Sequence, residues 1–235
     1  MNAIRVAVVN WSGLPDDDVL DGIKALQRQL DEDFAPRWGI DATLVPWRGR
    51  IEGPGYWGLV LLNGHTPKSA GDAYDALSVY GHITSDGHPL ARVFVDKLGP
   101  RQPWTHLASH ELLEMLVDPY RYAAVYREDG EPYRMYARRV CDPCAAYSDG
   151  YDLNGHIVSD FVCPAWFGGL VPDERKDERG KIHQAFELLI GGSIGVVDPS
   201  TSKWEVLHSD GSVGPPPVEP PGGTLGFVDK LGWGP

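Results

Sequence analysis

Hydrophobic and polar positions along the first half of the chain switch between the strand period and the helix period. Ile4–Asn10 is a short apolar run and reads as a strand. From Pro15 to Phe34 the apolar residues Val19, Leu20, Ile23, Leu26 and Leu30 recur at helical spacing. Asp16, Asp17 and Asp18 enrich the first turn, where the helix dipole favours acids. Asp41–Trp47 alternates as a second strand, and Gly53-Pro54-Gly55 turns the chain. Trp57–Leu62 is almost wholly apolar, which predicts a central strand. Asn63–Ala73 reads as a loop. Ser78–Thr84, with Gly81 and His82 inside it, reads as a short edge strand. Ser85–His88 is a turn about Gly87, and Ala91–Asp96 is a further strand. Helical spacing returns at Thr105–Pro119, with Pro103 just before it, Thr105 as N-cap and Pro119 as the stop.

This last helix carries the chemistry. Leu112, Met115 and Leu116 share one side and predict burial, while His110, Glu111, Glu114 and Asp118 fall within roughly 100° of arc. His110 and Glu114 are four residues apart, so their side chains lie side by side and can hold one cation. Glu111 is offset by one residue, which suits a carboxylate beside a metal's water rather than on the metal. The pattern H-E-x-x-E is a relative of the H-E-x-x-H zinc motif. The competing reading is a solvated polar face capped by Asp118. The flanking Leu-Leu and Met-Leu-Val predict a buried helix instead, in which His and Glu need partners.

After Pro119 helical periodicity is lost. Tyr133–Cys141, Gly150–Gly155, His156–Val162, His183–Ile190, Ser193–Asp198 and Trp204–His208 read as short strands and hairpins, with Asn154-Gly155 a strong turn signal. Pro172–Gly180 reads as a charged surface loop. Gly214–Gly223, G-P-P-P-V-E-P-P-G-G, is a stiff proline-rich linker. Beyond it Phe227–Gly232 repeats Phe94–Gly99 letter for letter. A copied strand can occupy the pockets of its original or pair beside it, so Phe227–Leu231 is expected to dock in extended form on its own chain or a neighbour. The chain thus divides into an upper lobe at 1–119, a β-rich lower lobe at 120–213 and a tail at 214–235. A tail in the metal cleft would inhibit; one on a neighbour would assemble.

Composition narrows the partners. The chain has 235 residues and a net charge of −12, with no Lys/Arg-rich run. That argues against nucleic acid and anionic membrane as partners. No apolar run approaches a membrane span, and the amino end lacks the regions of a signal peptide, so a cytoplasmic location is the default expectation. Cys141, Cys144 and Cys163 are an odd set; C-D-P-C has no second C-x-x-C, and a structural zinc site would need a ligand such as His156. Buried thiols or a Cys144–Cys163 contact are expected instead. Trp47, Trp57 and Trp104 are read as core. His65, His88, His106, His156 and His183 have no spacing that singles them out.

The order β-α-β-β-β(edge)-β-α resembles the upper lobe of metzincin-like zinc peptidases, in which the metal helix lies under a mixed sheet and the edge strand pairs with extended substrate. The strings S-H-E-L-L-E-M-L-V-D-P, V-C-D-P and V-S-D-F-V-C-P-A-W-F resemble an uncharacterised family of H-E-x-x-E zincin-like metallopeptidases of bacteria and phages. The resemblance covers most of residues 4–200, including V-V-N-W-S and G-G-S-I-G-V-V-D, and not the tail. It implies an α+β, zincin-like fold with a mixed sheet on the metal helix. It also implies a third ligand, since a catalytic zinc takes three. The family's E-[IV]-x-D element falls on Arg139-Val140-Cys141-Asp142, which makes Asp142 that ligand. Arg139 stands where the family has Glu, a departure that affects the contact this Glu makes and not the Asp.

Two functions follow. In the first, His110, Glu114 and Asp142 hold Zn²⁺ and Glu111 is the general base of a peptidase, with a peptide or protein as substrate. Asp118 is read as a turn or outer acceptor, and His82 and Tyr147 as cleft residues. In the second, the chain is an inactive zincin-like scaffold with a structural Ca²⁺ or Mn²⁺, and its tail mediates self-association in an oligomer or virion.

Overall fold

The computed structural model of the chain describes residues 4–49, 55–63, 78–84, 86–99, 102–127, 134–168 and 175–215, with backbone alone at 78–82. The predicted docking of Phe227–Leu231, the Gly53-Pro54 turn, most of the Asn63–Ala73 loop, His65 and the side chain of His82 lie outside the described residues.

The first half follows the predicted order. β1 (Ile4–Trp11) leads into α1 (Asp16–Arg28), which widens into a π-helical turn at Gln29–Phe34 and ends in α2 (Ala35–Trp38). Gly39, at φ 66°, stops α2 in the left-handed conformation that a glycine adopts without strain. β2 (Ala42–Trp47), β3 (Tyr56–Leu62), β4 (Ser78–Ile83) and β5 (Pro89–Phe94) follow, then α3 (Trp104–Val117). The sheet order is β2-β1-β3-β5-β4. β2, β1, β3 and β5 are parallel, β4 runs antiparallel at the edge, and β3 is central as its apolar run predicts.

The sheet is buried on both faces. Val6 and Val8, Leu59 and Leu61, and Ala91 and Val93 join the main core with Leu112, Leu113 and Met115 of α3. The alternate positions Val9, Val60, Leu62, Leu90 and Phe94 form a second cluster with Trp47 packed on it. Trp104 is buried in the main core, and Trp57 packs against it.

The second half is antiparallel. β6 (Ala124–Arg127), β7 (Arg134–Ala137), β10 (Ser193–Asp198), β11 (Lys203–His208) and β12 (Val213–Gly214) make a sheet of order β12-β11-β10-β7-β6. Between them β8 (Tyr151–Leu153) and β9 (His156–Val158) form a hairpin turned by Asn154 and Gly155, at φ 57° and 84°. The fold is α+β. The two predicted lobes share one core, since Tyr136, Val140, Phe161, Trp166, Ile194 and Val196 belong to the same cluster as α1 and α3.

Several expectations change. Thr105 is not the N-cap; Pro103 is, and the Thr105 hydroxyl instead donates to the carbonyl of Ile157 at 2.7 Å. His183–Ile190 is not a strand. The Glu187 carboxylate accepts from the backbone N–H of His183 and Gln184, which folds this stretch on itself. β9 stops at Val158, because the next residue, Ser159, turns its N–H to the Ser109 hydroxyl. The 91–96 strand ends at Phe94 in a single 3₁₀ turn. The expected surface loop at 172–180 contains a fully buried Asp177, whose carboxylate accepts from Lys181 and Ile182 N–H.

Two places test this packing. Gly22 of α1 has no room for a side chain: a Cβ there would collide with the Trp104 indole and lie 3.0 Å from Thr105 Cγ2. Gly22→Ala should therefore cost about 1–3 kcal/mol in denaturant unfolding, although alanine is the better helix former. Asp160, fully buried, is pushed up to about 8 by burial and then by the charge of Asp177 and a hydrogen bond with it. The unfolded carboxyl titrates near 3.8, so between these values the folded chain holds a proton that the unfolded chain has released. Stability should fall as pH rises through that window, by at most ~1.4 kcal/mol per unit. Unfolding of Asp160→Asn measured from pH 4 to 8 should show a slope shallower than the wild type's by up to that amount, the rest belonging to Glu114 and His110.

Candidate metal centre

α3 is buried on nearly every side, and only Leu107 and His110 along it are partly exposed. It contacts β4 and β5 of the first sheet and β9 of the hairpin. A helix buried in this way has to satisfy every polar side chain internally. Two hydroxyls do so by tying it down. Thr105 bonds Ile157, and Ser109 Oγ donates to Gln29 Oε1 at 2.6 Å while accepting from Ser159 N–H. Gln29 Nε2 in turn donates to the Ser159 carbonyl at 2.8 Å and to the Tyr151 hydroxyl, which donates to Asp33. This network fixes the turn of helix immediately before His110.

Glu114 has no exposed surface. Its Oε1 accepts from the backbone N–H of Cys141 at 2.7 Å and of Asp142 at 3.2 Å. Its Oε2 is buried with no hydrogen-bond partner among the described residues. The two N–H donors sit at the head of a 3₁₀ turn, Asp142–Cys144, so the bond that satisfies Glu114 also delivers the Asp142 side chain. Asp142 Oδ1 lies 3.2 Å from His110 Nε2, with 13% of the His110 side chain and 36% of the Asp142 side chain exposed. One donor atom from each of His110, Glu114 and Asp142 falls within 4.8 Å of the others.

The electrostatics are those of a site with too many acids for its protons. Burial works against a charged His110, but the Asp142 hydrogen bond and the charges of Glu111, Asp142 and Glu114 outweigh it and push the imidazole up to about 9. Burial, and then the charge of Asp142, raises Glu114 well above the carboxylate range. Asp142 is held low: burial opposes its charge, while His110, Arg139 and Arg121 favour it more strongly. Arg139 thus stands as a buried positive charge acting on Asp142.

The donor set fits a divalent ion. It offers one imidazole nitrogen and two carboxylates, and one oxygen of the Glu114 carboxylate is buried without a hydrogen-bond partner among the described residues. Donors bound to one zinc lie about 2.0–2.2 Å from it, so these side chains need only small movements to converge. Glu111 is buried on the same helix, close enough for its charge to act on His110. Asp118 stays out of the group; its two oxygens accept from Tyr122 and Ala123 N–H at 3.0 Å and close the turn after α3. Tyr147 packs edge-on against His106, with ring centroids 5.5 Å apart. His106 has no distinguishing mark in the sequence except its place four residues before His110, which puts both on one stripe of the helix. Cys141, Cys144 and Cys163 are buried and joined by no disulfide among the described residues, and burial pushes the thiols of Cys141 and Cys144 up, away from the reactive thiolate. No helix among the described residues is long and apolar enough to cross a membrane.

Compared with known proteins, the chain matches no family model, no curated protein and no solved structure.

An ion bound only by the folded chain stabilises it by mass action. Added Zn²⁺ should raise the melting temperature of the wild type, by roughly 2.7 kcal/mol of stability at a hundredfold excess over Kd. Asp142→Ala and Glu114→Ala should abolish that rise in parallel thermal melts.

Proposed function

We propose that this protein is a zincin-like, metal-dependent hydrolase that cleaves peptide bonds. The observation that carries the reading is the convergence of donor atoms from His110, Glu114 and Asp142 within 4.8 Å of one another, one of them from a carboxylate that keeps a buried oxygen unpartnered among the described residues. His110, Glu114 and Asp142 would hold the ion. A divalent ion bound there lowers the pKa of its water and polarises a carbonyl oxygen. Glu111, adjacent in sequence to His110 and not in the His110, Glu114 and Asp142 group, would take the attacking water's proton and return it to the leaving amine. With two carboxylate ligands a zinc is formally less positive than with three imidazoles, so its water is less acidic and the base matters more. β4 supports a peptide substrate: among the described residues it is the antiparallel edge of a sheet, in contact with α3, where an extended chain can add as a further strand.

Zn²⁺ suits the imidazole, and the two carboxylates equally suit Mn²⁺ or Ca²⁺. Elemental analysis of the purified protein decides between them. Glu111→Gln should keep fold and metal content and lose about 10²–10⁴-fold in cleavage of an unstructured protein. Full activity in that variant would refute the role of Glu111. Calcium at the site, with no cleavage by the wild type, would favour a structural ion in a scaffold.

A further inference from the structure

The helix that carries His110 and Glu114 ends in a turn that brings a cation to the metal centre. The Ala123 carbonyl accepts from Arg138 N–H at 2.9 Å, and β6 pairs with β7 from Ala124 and Ala137 onward. The turn after α3 therefore lies beside the segment that runs on to Cys141 and Asp142. Arg121 stands in this turn at φ 60°, in the left-handed region that a side chain makes costly. Asp118 enforces it: its carbonyl accepts from Arg121 N–H at 3.2 Å, and its carboxylate from Tyr122 and Ala123 N–H. A glycine would close the same turn without strain. What the arginine adds is its side chain, whose charge acts on Asp142 as well as on Asp118. Arg139 also acts on Asp142 but is buried, whereas Arg121 is half-buried. The Asp142 side chain is 36% exposed and that of His110 13%, so the metal group opens to solvent at the residue on which Arg121 acts.

We infer that Arg121 is a substrate-binding residue, whose guanidinium takes a carboxylate of the peptide beside the scissile bond. This inference rests on the metal-site reading. A guanidinium is always charged and offers its donors in a planar fork that matches a carboxylate. A cation held by His110, Glu114 and Asp142 would take over the negative charge of Asp142 that now faces Arg121. A carboxylate brought by the substrate would then stand in for it. Two sources carry that chemistry. One is the α-carboxylate of a C-terminal residue, which makes the chain a carboxypeptidase. The other is an Asp or Glu side chain just after the bond, which makes it an acid-selective endopeptidase.

The test compares two probes on the zinc-loaded chain by calorimetry. Succinic acid monohydroxamate carries its carboxylate as many bonds from the chelating carbonyl as a C-terminal carboxylate lies from the scissile one. Its carboxamide analogue has the same shape without the charge. The wild type should bind the acid about tenfold more tightly at low salt, the worth of a hydrogen bond between charged groups, and lose that preference as salt rises. Arg121→Gly, which relieves the backbone, should bind both probes alike and keep its zinc, and Arg121→Lys should keep part of the preference. Equal binding by the wild type, or a preference retained in Arg121→Gly, overturns the binding role and leaves the metal reading standing. Loss of zinc from a folded Arg121→Gly overturns it too, by making the arginine a prop for Asp142. If Arg121→Gly does not fold, Arg121→Asn, which also takes the left-handed conformation, decides in the same way. A wild type that takes up neither zinc nor the carboxamide probe overturns both readings. Cleavage by the wild type then assigns the source. Faster cleavage of a peptide with a free C-terminus than of its C-terminal amide supports the α-carboxylate. Faster cleavage of an amidated peptide with Asp in place of Asn after the bond supports the side chain. Indifference to both changes overturns the binding role.

Discussion

A carboxylate with no exposed surface governs the arrangement of this chain. Glu114 sits on a helix that is buried on almost every side, where an unpaired charge is untenable. One of its oxygens is satisfied by two consecutive backbone N–H groups, those of Cys141 and Asp142, some 27 residues away. That bond draws the distant segment onto the helix. The geometry of two adjacent N–H donors then turns the Asp142 side chain toward His110. The other oxygen remains for a proton or a cation, which links the packing of the fold to the chemistry of the site.

The surrounding structure holds α3 still enough for this to matter. On one side a glycine of α1 admits the Trp104 indole, so the two helices approach closely. On another, Thr105 and Ser109 spend their hydroxyls on the chain around β9. α1 widens into a π turn at Gln29, the residue whose amide bridges Ser109, Tyr151 and Ser159. Fully satisfied buried networks of this kind make a core rigid and specific. Here the network ends one residue before the first proposed ligand.

Charge balance completes the arrangement. Three acids and one imidazole share few protons, so His110 is held charged and Glu114 is held toward its neutral form. Arg139 and Arg121 offset part of the negative charge through Asp142. A divalent ion would displace the protons on His110 and Glu114 and relieve the same imbalance.

Local pattern was enough to determine the first half of this protein. The strands β1 to β5 and the helices α1 and α3 follow from apolar spacing, because burial of one face acts over neighbouring residues. The pairing of His110 with Glu114 follows from the helical period in the same way. Spacing did not show that Asp142 joins them: a family resemblance suggested it, and the demand of a buried Glu114 for two N–H donors brings it there. Nor could periodicity find the fold of 183–190, where the Glu187 carboxylate overrides an apolar run, or the burial of Asp177 in a stretch that reads as solvated loop. Thr105 has the chemistry of a cap and is used as a tether, because Ile157 offers a carbonyl that only the folded chain brings near. His106 was visible as a helical neighbour of His110, while its orphaned nitrogen depends on Gly150 and Tyr147 closing over the ring. Sequence sets which residues share a face; satisfaction of buried polar atoms, which needs partners from anywhere in the chain, sets what that face meets.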